Sequence, residues 1–448
     1  MLVEHERARH SGVVIAPHHR IALSIKGNLP QETLANALNT LIDRHEALRA
    51  TFARSDGVSS DEARLLLWSP QLSRSLFPFE QRIAAAACIR INESLRGTRI
   101  HHASRYQVGR EGFDYAVSPL MRVEPVATSR SRQLLVITVP KIVADAASCG
   151  ILERELRELC VAAISGESAQ LPALPLAYGA YLRSEEHRCR LGAYRRAGHF
   201  WEQIWERYAH LQFEPPDIPF ALPGFHAQTP RDTEARVECL TCSSDYVQQI
   251  QECAQLFGTD EVAICLTAVV VTVKRYTARS QFPIWFRFSN RQAPDRKLIV
   301  GNLEAPQMMG FDLTRCRTVG DVTESVAQAL KDALPHQGMP LQWLAGRTRA
   351  LRMRVRGVPI EVDACRAGSH REVVDHAAIS IRRVRLPSAL PQFVGLRVGV
   401  CVSDRRIVLS ATYNVNHFEG RLVRQWLRAI RDNLQLVMSA PSMALSRM

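Results

Sequence analysis

At 448 residues and 50.3 kDa the chain can hold two lobes with separate cores, and 46% hydrophobic with 23% charged residues is an ordinary globular composition. The longest apolar run, Val262 to Val273 between Glu261 and Lys274, falls well short of the roughly 20 residues a bilayer needs, and the charged start Met1 to His10 carries no secretory signal, which argues against a membrane and for a cytoplasmic protein. A formal net charge of +13 admits nucleic acid, but the arginines form no run of five or six and no nucleic-acid fingerprint is present, so an acidic protein partner fits the charge better.

Residues Pro30 to Phe52 read as an amphipathic helix with Leu34, Leu38, Leu41, Ile42, His45, Leu48 and Phe52 on one face. Gln133 to Val139 (QLLVITV) is a nearly continuous apolar strand of the kind buried on both faces. Ile151 to Ala163 is a second amphipathic helix, and Ser165 to Pro175 (SGESAQLPALP) is a Gly/Ser/Pro-rich linker. That linker sets the expected division into an N-terminal lobe, 1–170, and a C-terminal lobe, 171–448. Beyond it, Tyr194 to Trp205 is helical, Pro215 to Pro230 is proline-rich, and Asp245 to Phe257 and Asp260 to Tyr276 are successive helices. Ile284 to Ser289 is a short strand and Asp321 to Leu334 a helix with Val322, Val326, Ala329, Leu330 and Ala333 inward. Residues 378–385, 396–402 and 406–413 alternate as strands, and Glu419 to Val437 closes the chain as an amphipathic helix. Strands and helices mix in both halves, giving an α/β or α+β class.

Eleven cysteines are scattered at irregular spacing, consistent with reduced thiols. Cys239 and Cys242 have the C-x-x-C spacing, but Cys253 and Cys265 do not supply the second pair zinc would need, so no metal is expected.

Six segments, in order, carry a family likeness. LANALNTLIDRHEALRATF at 34–52 contains Arg44-His45-Glu46, Leu48 and Arg49; FDYAVSPLMR occupies 113–122; QLLVITVPKIVADAASCGILERELREL occupies 133–159. Ser289-Asn290-Arg291 and Leu334-Pro335-His336 to Leu341 follow, and Tyr413 to Phe418 (YNVNHF) precedes the last helix. From about residue 20 to 437 the chain resembles the condensation domains of nonribosomal peptide synthetases. The resemblance implies an α/β fold of two chloramphenicol-acetyltransferase-like lobes in a V arrangement with a central tunnel. It implies acyl or peptidyl carrier proteins as partners, whose phosphopantetheine arms enter that tunnel, with no cofactor held by the chain itself.

Such domains carry H-H-x-x-x-D-G after the strand. Here those positions are Pro140, Lys141, Ile142, Val143, Ala144, Asp145 and Ala146. The resemblance therefore places Lys141 where the catalytic histidine usually stands, and Asp145 where a structural aspartate pairs with an arginine of the first helix, Arg49 or Arg44. Lysine's ordinary pKa is about 10.4, so service as a base near neutral pH needs a fall of about 3, or roughly 4 kcal/mol. Burial can supply that, and Asp145 would oppose it, so Lys141 is expected as a cation. Pro140 removes a backbone donor, and Ala146 in place of glycine would cost about 1 kcal/mol if its φ is positive. Ser148 is also retained.

His417 and His336 are the other candidate bases. His18-His19 and His101-His102 lack an aspartate at the motif spacing and read as surface residues. Two functions follow from the resemblance. One is amide or ester formation on carrier-bound acyl or peptidyl thioesters, by altered chemistry without the usual histidine. The other is a catalytically inactive docking module that recruits a carrier protein or a tailoring enzyme.

Overall fold

The computed structural model describes residues 18–54, 79–89, 113–129, 132–213, 217–218, 221, 235–339, 344, 360–366, 373–376, 379–384 and 395–447. Strand β5 (Arg132–Pro140) is the apolar run seen in the sequence, buried from Leu134 to Pro140. It lies at the heart of an antiparallel five-stranded sheet in the order β10 (Val373–His376), β11 (Ile379–Val384), β1 (His18–Gly27), β5, β4 (Arg122–Ser129). Odd-numbered side chains of β1 and β5, among them Ile21, Leu23, Ile25, Leu135, Ile137 and Val139, join a first core with helices α1 (Gln31–Arg44) and α2 (Ala146–Ser165).

The first helix is shorter than its periodicity predicted. It stops at Arg44 because His45 takes an extended conformation and turns its ring onto buried Glu155 of α2, with Nε2 2.8 Å from the carboxylate. Leu48 stays in the core from a 3₁₀ turn, Glu46–Arg49, and Phe52 belongs to β2 (Ala50–Arg54), paired with β3 (Phe79–Ile83). Helix α2 starts at Asp145, whose carboxylate accepts the Ser148 N–H, and ends at Gly166, where a φ of +70° suits glycine.

The second sheet has six strands in the order β6 (Ala235–Cys242), β13 (Ile407–Asn414), β12 (Leu396–Val402), β9 (Ile360–Arg366), β7 (Gln281–Phe288), β8 (Ala305–Asp312). Pairs β12–β9 and β9–β7 are parallel, and the others antiparallel. Its apolar face packs into a larger core with α4 (Arg195–Tyr208), α5 (Ser244–Leu256), α6 (Glu261–Thr277), α7 (Val319–Ala333) and α8 (Gly420–Ser439). The run Val262 to Val273 lies in α6, at the centre of this core. Among the described residues no single helix is long and apolar enough to cross a membrane; α5 and α6 meet that test only together, bent by 96°.

Residues 379–384 form a strand as predicted, but it joins β1 in the first sheet rather than its sequence neighbours β12 and β13. Helix α3 (Tyr178–Arg190) follows the 165–175 linker. Most of Pro215 to Pro230, and His101-His102, lie outside the described residues. Cys239 and Cys242 are three positions apart in β6, one exposed and one buried, so the strand sends them to opposite faces. Among the described residues no cluster of His, Cys, Asp and Glu is arranged to hold a metal ion.

Candidate active site

The turn between β5 and α2 carries two adjoining charge clusters. The first is dry. Asp145 is 1% exposed and pairs with Arg291, whose Nη2 lies 2.8 Å from both carboxylate oxygens. Asp145 also accepts from the Ser148 N–H at 2.8 Å and the Leu303 N–H at 3.0 Å. Arg291 donates further to the carbonyls of Ile299 and Gly301, and the Ser148 hydroxyl accepts from the Gly301 N–H at 3.0 Å. Gly301 has to be glycine, because a Cβ there would sit 2.4 Å from the Tyr178 ring. Asn290, at a φ of +52° that asparagine tolerates, precedes the arginine.

This corrects the expected pairing. Arg44 is taken by Glu155 at 3.0 Å, and Arg49 donates to the carbonyls of Ile42, Asp43, Ala84 and Ala85, so neither is available to Asp145. In the Glu155 carboxyl burial works against ionisation, but His45 and then Arg44 outweigh it and hold the pKa low. Ala146 is the first residue of α2 and is not among the described residues with positive φ, so its methyl group imposes no strain. Pro140 ends β5, where its carbonyl accepts the Val143 N–H.

The second cluster is half-buried and brings both sheets together. Lys141, one residue beyond β5, meets His19 of β1, Arg287 of β7, Glu304 just before β8, Glu361 of β9 and Arg397 of β12 in one electrostatic group. Glu361 Oε2 accepts from Arg397 Nη2 at 2.7 Å and from Arg287 Nε at 3.2 Å. Glu304 bridges outward: one oxygen takes Arg287 Nη1 at 3.1 Å, the other the Ala146 N–H at 3.2 Å. A carboxylate at the start of α2 is favourable against the helix dipole.

Burial, then the Arg397 and Arg287 charges, lower the Lys141 pKa to about 8, against the pull of Glu304 and Glu361. Those two carboxylates oppose the shift, not Asp145, whose oxygens are turned to Arg291. His19 is held well below the ordinary imidazole value by burial first, then by Lys141, Arg397, His18 and Arg287, so it is neutral at pH 7. Burial outweighed by Arg397 and Arg287 keeps Glu361 low, whereas burial and Glu304 push Asp363 up. The site thus offers an amine near its neutral point beside an uncharged imidazole, framed by fixed ion pairs.

The condensation-domain family model matches residues 16–448. The chain belongs to the condensation-domain family. Its relatives include malpinin synthetase of Mortierella alpina, 25% identical over 337 residues, covering 75% of this chain and 4% of that protein. Phosphinothricin tripeptide synthetase PhsC of Streptomyces viridochromogenes is 24% identical over 340 residues, 75% of this chain and 29% of that protein. Tyrocidine synthase 3 of Brevibacillus parabrevis is 21% identical over 425 residues, 95% of this chain and 6% of that protein. The chain therefore spans less than a third of each of these relatives. Among solved structures, SgcC5 of Streptomyces globisporus superposes with a TM-score of 0.74 at 17% identity, over 96% of this chain and 94% of that one. The X-domain from teicoplanin biosynthesis gives 0.72 at 18%, over 96% and 92%, and that X-domain is also solved in complex with OxyB. These likenesses establish the α/β fold.

In this condensation domain His19 is the residue that sequence reasoning missed. Its neighbour His18 is buried, and the pair are not surface residues. The register sets His19 opposite Val139 and His18 opposite Pro140, so the first histidines of β1 arrive at the end of β5 that carries Lys141. The other two candidates lie elsewhere in the fold. His336 follows α7 and stacks on Phe200 of α4 at 4.5 Å, its carbonyl accepting the Trp201 indole N–H; burial lowers its pKa. His417 is buried in the turn after β13, with its backbone N–H donating to the Asn414 carbonyl and its ring edge-on to Phe418.

Proposed function

We propose that this condensation domain joins a carrier-bound acyl or peptidyl thioester to an amine or hydroxyl acceptor in nonribosomal peptide or hybrid polyketide assembly, with Lys141 in the place of the usual histidine. The observation that carries this reading is the meeting of Lys141 and neutral His19 at adjoining strand ends, against the Arg287–Glu304–Glu361–Arg397 network of the opposite sheet. In the proposed step the acceptor nitrogen attacks the thioester carbonyl; a C–N bond forms and the C–S bond breaks. The leaving sulfur stays on the phosphopantetheine arm of the partner carrier protein, and the proton leaving nitrogen passes to the neutral Lys141 amine or to His19. A base with a pKa of about 8 is neutral in about one molecule in ten at pH 7, a cost of roughly 1.4 kcal/mol. Two tethered reactants held together supply the larger share of the rate.

The test is a time course with a loaded donor carrier protein and an amine acceptor. Product well above a carrier-only control, abolished in Lys141→Ala, is the expected result; no product above that control sinks the enzyme reading. The net charge of +13 favours a second reading, an inactive docking module for a carrier protein or a tailoring enzyme, as the OxyB complex illustrates for the teicoplanin X-domain. That reading predicts a pull-down of an acidic carrier protein or an oxidative partner that weakens as salt is raised, and salt-independent or absent binding counts against it.

A further inference from the structure

Strands β9 and β12 run parallel, and their register sets Glu361 against Arg397, Asp363 against Gly399 and Cys365 against Cys401. Side chains alternate along a strand, so these three pairs stand on one face. The alternate positions, Ile360 and Val362 with Leu396, Val398, Val400 and Val402, fill the core on the other face. The cysteine pair therefore lies on the polar face of the sheet, two rungs along from the Glu361–Arg397 ion pair of the candidate site. Cys365 is exposed and Cys401 half-buried, and the two thiols are hydrogen-bonded to each other.

We propose that Cys365 and Cys401 form a reversible disulfide by exchange with a low-molecular-weight disulfide of the glutathione type, clamping β9 to β12. Adjacent strands lie about 4.8 Å apart, within the roughly 4.4–6.8 Å between Cα atoms that a disulfide spans. The Cys365 thiol is held protonated, first by its hydrogen bond to Cys401, then by burial and nearby carboxylates. In the exchange one thiol of the pair, once deprotonated, attacks one sulfur of the small disulfide and releases one thiol. The other thiol of the pair then attacks the mixed disulfide, a second small thiol leaves, and the two electrons and two protons of the pair end on the two small thiols. An exposed disulfide of this kind is readily reduced again.

The consequence for catalysis rests on the function proposed above: a covalent clamp would fix the Glu361–Arg397 rung that frames Lys141. The experiment does not depend on it. The full-length protein is incubated with oxidised glutathione, remaining thiols are alkylated, and peptides are mapped by mass spectrometry. The expected result is loss of alkylation at both Cys365 and Cys401, a cross-linked peptide joining them, and recovery of both thiols with dithiothreitol. In Cys365→Ser the cross-link disappears and Cys401 holds glutathione as a mixed disulfide. Glutathione on these cysteines in the unaltered protein with no Cys365–Cys401 peptide, or a cross-link to another cysteine in its place, overturns the proposal whatever the acyl-transfer assay reports. A Cys365–Cys401 cross-link in a protein that transfers no acyl group upholds the clamp and sinks only the catalytic reading.

Discussion

Two charge clusters share the turn at 141–145 and are built on opposite plans. Around Asp145 every carboxylate oxygen has at least two donors, the arginine is spent on three carbonyls as well, and the pair is buried. Around Lys141 the side chains are half-buried, Glu361 is shared between two arginines and Arg287 between two carboxylates, and an amine and an imidazole are both driven toward their neutral forms. The first arrangement has no chemistry left to offer and gains rigidity from that. The second is unsettled electrostatically, which is what a proton-transfer site requires. One turn thus carries the support on one side and the candidate base on the other.

The contrast breaks most sharply at Arg291. Arg291→Ala leaves Asp145 buried and short of its main partner, and a loss of about 3–5 kcal/mol in a denaturant melt is expected. A near-neutral result would show that the latch is dispensable. Next in size, Lys141→Ala should cut acyl transfer by about 10²–10⁴-fold, the usual worth of a positioned base, in a protein that still folds. The pH profile sharpens this. Transfer by the unaltered protein should climb to a plateau above pH about 8, the Lys141 value, and Lys141→His should move the inflection down.

Stability should also rise with pH, over a higher range. Because the folded state lowers the Lys141 pKa, the charged form is penalised on folding; the penalty is full below pH about 8 and vanishes as pH rises toward 10.5. Discounting for partial exposure, Lys141→Met should raise stability at pH 7 by roughly 2 kcal/mol and lose that advantage at high pH. Equal or lower stability at pH 7 would mean that Glu304 and Glu361 repay the burial in full. The smallest effect is at Ala146. Since it is an ordinary helical residue here, Ala146→Gly should cost about 0.5–1 kcal/mol, whereas a gain would reveal hidden strain.

Much of the frame was legible because it is local. The apolar run of β5, the amphipathic faces of α2 and α8, and the order of family segments point to the fold and to Lys141 and Asp145. The site's walls were not legible, because Arg287, Glu304, Glu361 and Arg397 meet Lys141 only when two sheets come together. A weaker signal was present: QFPIWFRF, IEVDACR and LRVGVCV each set a charge into an apolar or alternating strand, marking a face turned away from the core. His19 escaped for a related reason. Motif spacing says nothing of a histidine pair whose placement comes from antiparallel register with β5. The partner of Asp145 is not an arginine of the first helix, because Arg44 and Arg49 have nearer uses, one on Glu155 and one on backbone carbonyls.

The pairing of β11 with β1 has a cost during synthesis. As the polypeptide emerges from the ribosome, β1 has β5 on one side as soon as residue 140 is out, but its other flank stays open until residues 379–384 appear. While residues 141–378 are being made, that bare edge can recruit a neighbouring nascent chain. A fragment cut at residue 170 would keep the exposure permanently, so expression of the first part by itself should yield aggregates that a co-expressed remainder relieves.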